Sequence, residues 1–397
     1  MMKLHLLKRA NLQDDHVQSV VISLLRGAAA LEVAAAHLRA QIYPGFSLVE
    51  NPGALFKALA FFTGFAQQAV IVFFLLSGWL VGGSLLNKIG QENALKHYAI
   101  DRVTRLWMVL VPTFLLVLVF AGASAKVDTS VFSASLANEY SLAAFFGGLV
   151  GLQNLLVQPF GANFPLWSLS NETWYYILFP LIVVASSSTS NRNRLLALGA
   201  AGIIAYFLTL PILLYFSIWL MGAACSRIKI ETGMAMRCVF LGIFVALSVF
   251  FRLRGSNNNL GWSSLPQDIL FSIAFLLFLT SIQFTWATET GTRRLLRRLG
   301  KVFADFSFTL YVIHIPLISI VFFFNPFLSG GGRLAANNPY HFVIYLALFL
   351  GIVATAYLFY LPFEANTYRV RNYLKRMLAK VKLSGPIEPT QQGVAKR

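Results

Sequence analysis

The chain has 397 residues, 57% of them hydrophobic, 14% aromatic and only 12% charged, with a mean hydropathy of +0.67. That composition excludes a large water-soluble domain and belongs to the polytopic membrane class. The net charge of +17 would suggest a nucleic-acid binder if the protein were soluble. In a membrane protein Lys and Arg mark the cytoplasmic side instead, so nucleic acid is not expected as a partner.

Apolar runs of about 17 to 25 residues are long enough to span a bilayer, and about ten of them follow in chain order. The first covers 18–40 and contains LLRGAAALEVAAAHLR, Leu24 to Arg39, which sets Arg26, Glu32 and His37 into an otherwise apolar helix. Arg26 and His37 are eleven positions apart, three turns plus about 20°, so the two share a face about 16 Å apart along the axis while Glu32 lies off it. A charge near mid-membrane costs at least about 2.5 kcal/mol and usually faces a bundle interior or a wet cavity. The plainer accounts are an Arg26 that snorkels to the inner surface and a His37 at the interface. The same charges argue against a cleaved signal peptide, which needs an uncharged core.

The second helix, 65–86, carries FFLLSGWLVG, Phe73 to Gly82, with Ser77 as its hydroxyl. The third, 104–122, is entered through HYAIDRVTRLW, where Arg102 and Arg105 stand three apart on one face. Their guanidinium groups suit phosphate or simply mark topology. Residues 123–165 form the longest extracytoplasmic connection, and its apolar middle, Ser141 to Val157, either lies in the interface or re-enters the membrane. The fourth helix, 171–187, follows from FPLWSLSNETWYYILFP, Phe164 to Pro180. Ser170 and Thr173 suit its N-terminal turn, and Glu172 there is favoured by the helix dipole. Capping is thus one account of that acid and a site role the other.

Helices at 194–209 and 211–226 share one run broken at Pro211, and 236–252 and 266–285 follow. Cys225 and Cys238 carry no metal signature and read as small packing residues; no metal is expected. The ninth helix, 304–325, holds DFSFTLYVIHIPL, which sets His314 three residues after Tyr311, within reach of a hydrogen bond or a joint polar lining. The tenth covers 340–362. The tail after Tyr368 is basic, then rich in Gly, Pro and Gln, and reads as disordered from about Leu383.

With the N-terminus inside, 25 of the 32 Lys and Arg fall on the cytoplasmic side, six (Arg39, Lys57, Lys126, Arg252, Arg254 and Arg333) fall outside, and Arg26 lies within a span. This bias predicts an all-α polytopic membrane protein of about ten transmembrane helices with both termini cytoplasmic. Residues 1–368 form its membrane domain and 369–397 a basic, partly disordered cytoplasmic tail.

The order and spacing of these motifs resemble the acyltransferase 3 family, the integral membrane O-acyltransferases of bacterial envelope and exported polysaccharides. The resemblance runs from about Ser19 to about Pro362. It rests on Arg26 and His37 with ten residues between them, the Phe73–Gly82 run, the Arg102 and Arg105 pair, the Leu166–Pro180 stretch around Glu172, and Ser307, Leu310, Tyr311, His314 and Pro316. Met108 departs from the family's frequent Pro after the second Arg, and Glu32 is an acid the pattern does not ask for.

The resemblance implies a multi-pass protein of the bacterial inner membrane that takes an acyl group, most simply acetyl, from cytoplasmic acyl-CoA. The acceptor is a hydroxyl of a glycan or lipid-linked sugar on the other side. Arg26, Arg102 and Arg105 would bind the CoA moiety. His37 would be general base or covalent acyl carrier, and Glu172 would orient it or bind sugar hydroxyls. Ser77, Trp167, Ser168, Tyr175, Tyr311 and His314 would line the cavity or stack on sugar. Some family members carry a fused SGNH domain; none is expected here, which would leave the acceptor to the membrane domain or to a separate periplasmic partner. The rival from another class is a secondary transporter or lipid-linked sugar flippase, which predicts internal repeats; none is visible.

Overall fold

A computed structural model describes residues 2–10, 16–123, 138–255, 261–286, 288 and 290–383. Residues 124–137 of the long connection and the tail beyond 383 lie outside the described residues, as does the disorder expected there. Helices account for nearly all of the structure: α1 (Val17–Ile42), α2 (Ala54–Phe62), α3 (Ala66–Ser77), α4 (Gly83–Lys88), α5 (Ala94–Ala123), α6 (Leu142–Leu149), α7 (Trp167–Ser187), α8 (Asn191–Phe207), α9 (Leu210–Cys225), α10 (Met234–Arg254), α11 (Leu265–Ser281), α12 (Gly291–Phe324), α13 (Pro326–Ser329), α14 (Pro339–Tyr360) and α15 (Thr367–Leu383). Two short strands, β1 (Lys3–Leu6) and β2 (Ile228–Glu231), pair antiparallel beside Leu7 and Arg227.

Six helical stretches are long and apolar enough to cross a membrane, beginning at Val17, Ala54, Ala94, Met234, Gly291 and Pro339; α9 and α11 are shorter and apolar. Each of the ten segments expected from hydropathy falls on a helix. Pro211 sits in the first turn of α9, where its missing N–H costs nothing, and so starts that helix rather than merely ending α8. The basic run Arg293 to Lys301 extends α12 by several turns, because Thr290 caps it by accepting from the Arg293 N–H.

Small residues set the closest approaches. A Cβ on Gly27 would lie 2.4 Å from Phe303 Cβ, so that glycine lets α1 lie along α12. On the other side of the bundle α3 and α9 cross so tightly that a Cβ on Gly78 would lie 2.0 Å from the Trp219 carbonyl oxygen. One on Gly222 would lie 2.1 Å from that of Leu75. Membrane helices gain their attraction from such backbone contact, since lipid tails are as apolar as the side chains they would replace. Between α3 and α4 the chain makes one π-helical turn, Gly78–Gly82, a local widening that often accompanies functional sites.

The connection between α5 and α7 folds back into the bundle. Trp107 stands 13 residues into α5, about 20 Å along it, and its Nε1 donates to the Leu149 carbonyl at 3.0 Å. Gly151 oxygen accepts from Ser170 Oγ and from Trp174 Nε1. A 3-10 turn, Phe164–Leu166 with Pro165 inside it, then leads into α7. Helix α7 therefore starts at Trp167, earlier than its hydropathy suggests. Ser170 and Thr173 do not cap it: Ser170 reaches Gly151, and Thr173 Oγ1 donates to the Leu169 carbonyl at 2.8 Å. Glu172 lies beyond the first turn, which holds no acid.

Candidate functional site

A cavity of about 320 Å³ opens among α1, α3, α5, α7 and α12. Its polar end carries Arg26, Arg102, Arg105, Glu172 and Tyr176, and its far end carries Ser168 and Tyr311, with Phe73, Phe74 and Phe308 between. The helical period that put Arg102 and Arg105 on one face delivers both to this cavity together with Arg26 from α1.

The acids there are few and already engaged. Glu364, in the turn after α14, accepts from the Thr309 N–H at 3.0 Å and from Thr309 Oγ1 at 2.6 Å, and its other oxygen lies 3.7 Å from Arg105. Tyr176 donates to Glu172 Oε1 at 2.6 Å. Since that hydroxyl proton is committed, Ser77 must donate to Tyr176 Oη, 3.2 Å away, while itself accepting from Trp219 Nε1 at 3.1 Å. The resulting chain, Trp219 to Ser77 to Tyr176 to Glu172, ends on the carboxyl oxygen of Glu172. The guanidinium carbon of Arg102 lies 5.5 Å from the Tyr176 ring centre and 5.9 Å from that of Tyr98. Among the described residues no carboxylate lies within 4 Å of Arg26 or Arg102, so three guanidinium groups of the cavity wall face one acid in that wall, Glu172, and one beside Arg105, Glu364.

His37 does not line this cavity. Its Nδ1 lies 2.8 Å from Nε2 of His314, and its ring meets Phe164 edge-on at 5.0 Å. The other nitrogen of His314, Nδ1, lies 2.8 Å from the Tyr311 carbonyl oxygen. A carbonyl only accepts, so His314 Nδ1 carries a proton, and Nε2 of the neutral ring is then an acceptor. His37 must donate through Nδ1, which leaves the lone pair on its Nε2. The main chain of α12 thus fixes the tautomer of His37 through His314, as an orienting carboxylate does in a catalytic triad.

Between the cavity and this pair stands Tyr311. Its hydroxyl donates to the Pro165 carbonyl at 2.6 Å, so Ser168 donates to it, also at 2.6 Å. Asn163 anchors the same turn by donating Nδ2 to the Val312 carbonyl at 2.9 Å. That carbonyl is free because Pro316, four residues on, has no N–H to offer it. The turn 163–168 accordingly touches His37 at Phe164, Tyr311 at Pro165 and Ser168, and leads one turn later to Glu172.

Of the residues singled out by sequence, Arg26, Arg102, Arg105, Glu172, Ser77, Ser168 and Tyr311 meet in one cavity, and His37 pairs with His314 behind Tyr311. Several expectations change. Glu172 is a neighbour of the arginines rather than of His37, because α7 begins deep in the bundle and not at the outer surface. His314 touches His37 directly instead of lining the cavity. Tyr311 meets His314 through its carbonyl oxygen and spends its hydroxyl on the turn.

Tyr175 is fully buried against Phe74, Phe216 and Trp219 and packs the core; Trp167 packs on Phe74. Glu32 accepts from the Phe65 N–H at 2.7 Å, where it fastens the start of α3. Glu364 and Asn163 were not singled out as site residues by sequence. The one available signal was a lone acid directly after the last apolar run, in LPFEAN.

The model of the acyltransferase 3 family, described as an acyltransferase domain, matches residues 20–360. The chain belongs to the acyltransferase 3 family. No curated protein and no solved structure matches it. Family membership makes this chain an acyltransferase built from apolar helices, with the cavity and the histidine pair both inside the matched region. Among the described residues no group of three or more His, Cys, Asp or Glu is arranged to hold a metal ion.

Proposed function

We propose that the protein is an inner-membrane O-acyltransferase with about ten spans and both termini cytoplasmic, and that it moves an acyl group, most simply acetyl, from cytoplasmic acyl-CoA to a sugar hydroxyl of an envelope or exported glycan. The observation that carries this reading is the cavity with Arg26 and Arg102 lacking acidic partners at one end and the Tyr311 wall, backed by the histidine pair, at the other. Phosphate oxygens of CoA supply the charge that the two acids do not, and guanidinium forks suit them. The volume accommodates a slender pantetheine arm and leaves the nucleotide at the cytoplasmic mouth.

The chemistry then falls to His37 Nε2. As general base it takes the proton of the acceptor hydroxyl while that oxygen attacks the thioester carbonyl; the C–S bond breaks and the thiolate of CoA leaves and is protonated. As acyl carrier the same nitrogen attacks the thioester first and hands the acyl group to the sugar afterwards. Both routes need the lone pair on Nε2 that the His314 contact supports, and both need Tyr311 to yield, since it separates the cavity from His37.

Donor binding tests the reading without needing the acceptor. CoA titrated into the purified protein should bind wild type, and Arg102→Gln or Arg105→Gln should each weaken binding by about 10- to 100-fold, the worth of a charge-assisted hydrogen bond. Equal affinity in all three proteins would remove the arginine cavity from the account.

A further inference from the structure

A second cavity, of about 370 Å³, lies on the other side of Arg102, between α5 and α7. Unlike the first it opens sideways: Leu95, Val103, Trp107, Val150 and Ile177 line it and are exposed on the outside of the bundle, where a bilayer would meet them. Its depth is defined. From Tyr98, four residues into α5, to Trp107 and Leu149, which join by a hydrogen bond and roof it, α5 rises about 14 Å. One leaflet of hydrocarbon is about 15 Å, half of a core of about 30 Å.

The groove is apolar apart from Thr173 and Tyr176, whose hydroxyls are already bonded to Leu169 and Glu172, and the end nearest the start of α5. There the Tyr98 hydroxyl and Nε of Arg102 are both buried without a hydrogen-bond partner among the described residues. The side chains of helix residues lean towards the helix N-terminus, so Arg102 reaches back towards Tyr98, whose ring centre is 5.9 Å from its guanidinium carbon. A buried donor with no acceptor is costly, and here two sit where an apolar slot one leaflet deep begins. We propose that this groove holds one anionic phospholipid of the leaflet at the N-terminal end of α5, its phosphate on Arg102 and Tyr98 and one acyl chain beneath Trp107 and Leu149. On the orientation proposed above this is the inner leaflet. Arg102 then stands in the partition between a lipid phosphate and the cavity, and the lipid fixes the position of a group that the donor site also uses.

The test is lipid retention, which is independent of any acyltransferase assay. Protein purified in mild detergent is incubated with phosphatidylglycerol or phosphatidylcholine of equal chain length, and bound lipid is counted by native mass spectrometry. Wild type should keep one phosphatidylglycerol in preference to phosphatidylcholine by about five- to tenfold, the ratio expected of one charge contact near a membrane surface. Val103→Trp, which fills the groove from its lipid-facing wall, should lose that lipid, and Ile177→Trp should do the same from α7. Tyr98→Phe should lower the preference while still allowing a lipid to bind. Equal retention of the two lipids by wild type, or retention unchanged in both tryptophan variants, overturns the proposal.

Discussion

At the scale of single residues the account turns on two histidines and what orients them. His37 Nδ1 gives its proton to His314 Nε2, and His314 gives its own to a main-chain carbonyl. On the proposed function His314 is a positioning residue, and its removal should act on turnover rather than on donor binding. His314→Ala is expected to lower kcat by about 100-fold, within the usual worth of general-base catalysis, with the KM for the donor little changed. His314→Gln, whose amide oxygen can accept the same proton, should recover part of that loss. Steady-state kinetics at varied donor concentration read both, and a rise in KM without a fall in kcat would contradict the role. The pairing of Arg26 with His37 on one helix face was legible in the sequence, because eleven residues nearly complete three turns. The contact between the two histidines was not, since it joins positions 277 residues apart and no local periodicity reports on it. Glu172 was legible as an unusual acid but misplaced in depth, because hydropathy cannot tell a helix that starts at the surface from one that starts inside the bundle.

At the scale of elements, proline and glycine positions explain how the site is assembled. Pro316 frees the Val312 carbonyl, and Asn163 fills it. Asn163→Leu should leave that carbonyl unsatisfied inside the bundle and cost about 1–3 kcal/mol. A lowered thermal midpoint in detergent would show it, and an unchanged midpoint would mean that the 163–168 turn is held by other contacts. The α3 and α9 crossing depends on Gly78 and Gly222, each facing a backbone oxygen about 2 Å from where a Cβ would stand. Gly78→Leu is expected to abolish stable expression, whereas Gly199→Leu, with open space around it, should be tolerated; yields on solubilisation compare the two. Helix positions were readable from apolar run length, and all ten expected segments are helical. The segment after α5 admits two readings, since eight apolar residues of α6 are too few to declare whether they lie along a membrane or dip into it.

At the scale of the whole molecule, the proposed function assigns the arginine cavity to a donor side and His37 to an acceptor side. The arginine cavity lies towards the ends of α1 and α5 that carry the basic loops, and His37 stands about 16 Å further along α1. The charge bias predicts that reporters fused at either terminus of the full chain face the cytoplasm, and that a cysteine introduced at Asn51 is labelled by a membrane-impermeant thiol reagent from outside intact cells in a variant lacking Cys225 and Cys238. Labelling from the cytoplasmic side alone would invert the topology and with it the direction of transfer.

The most direct test of transfer through His37 is made in membrane vesicles bearing the protein, supplied with isotopically labelled acetyl-CoA and the native glycan fraction, with wild type and His37→Ala at matched expression. The account predicts label in the glycan with wild type and a loss of about 100-fold or more with His37→Ala. Transfer that persists at the wild-type rate without His37 would contradict it.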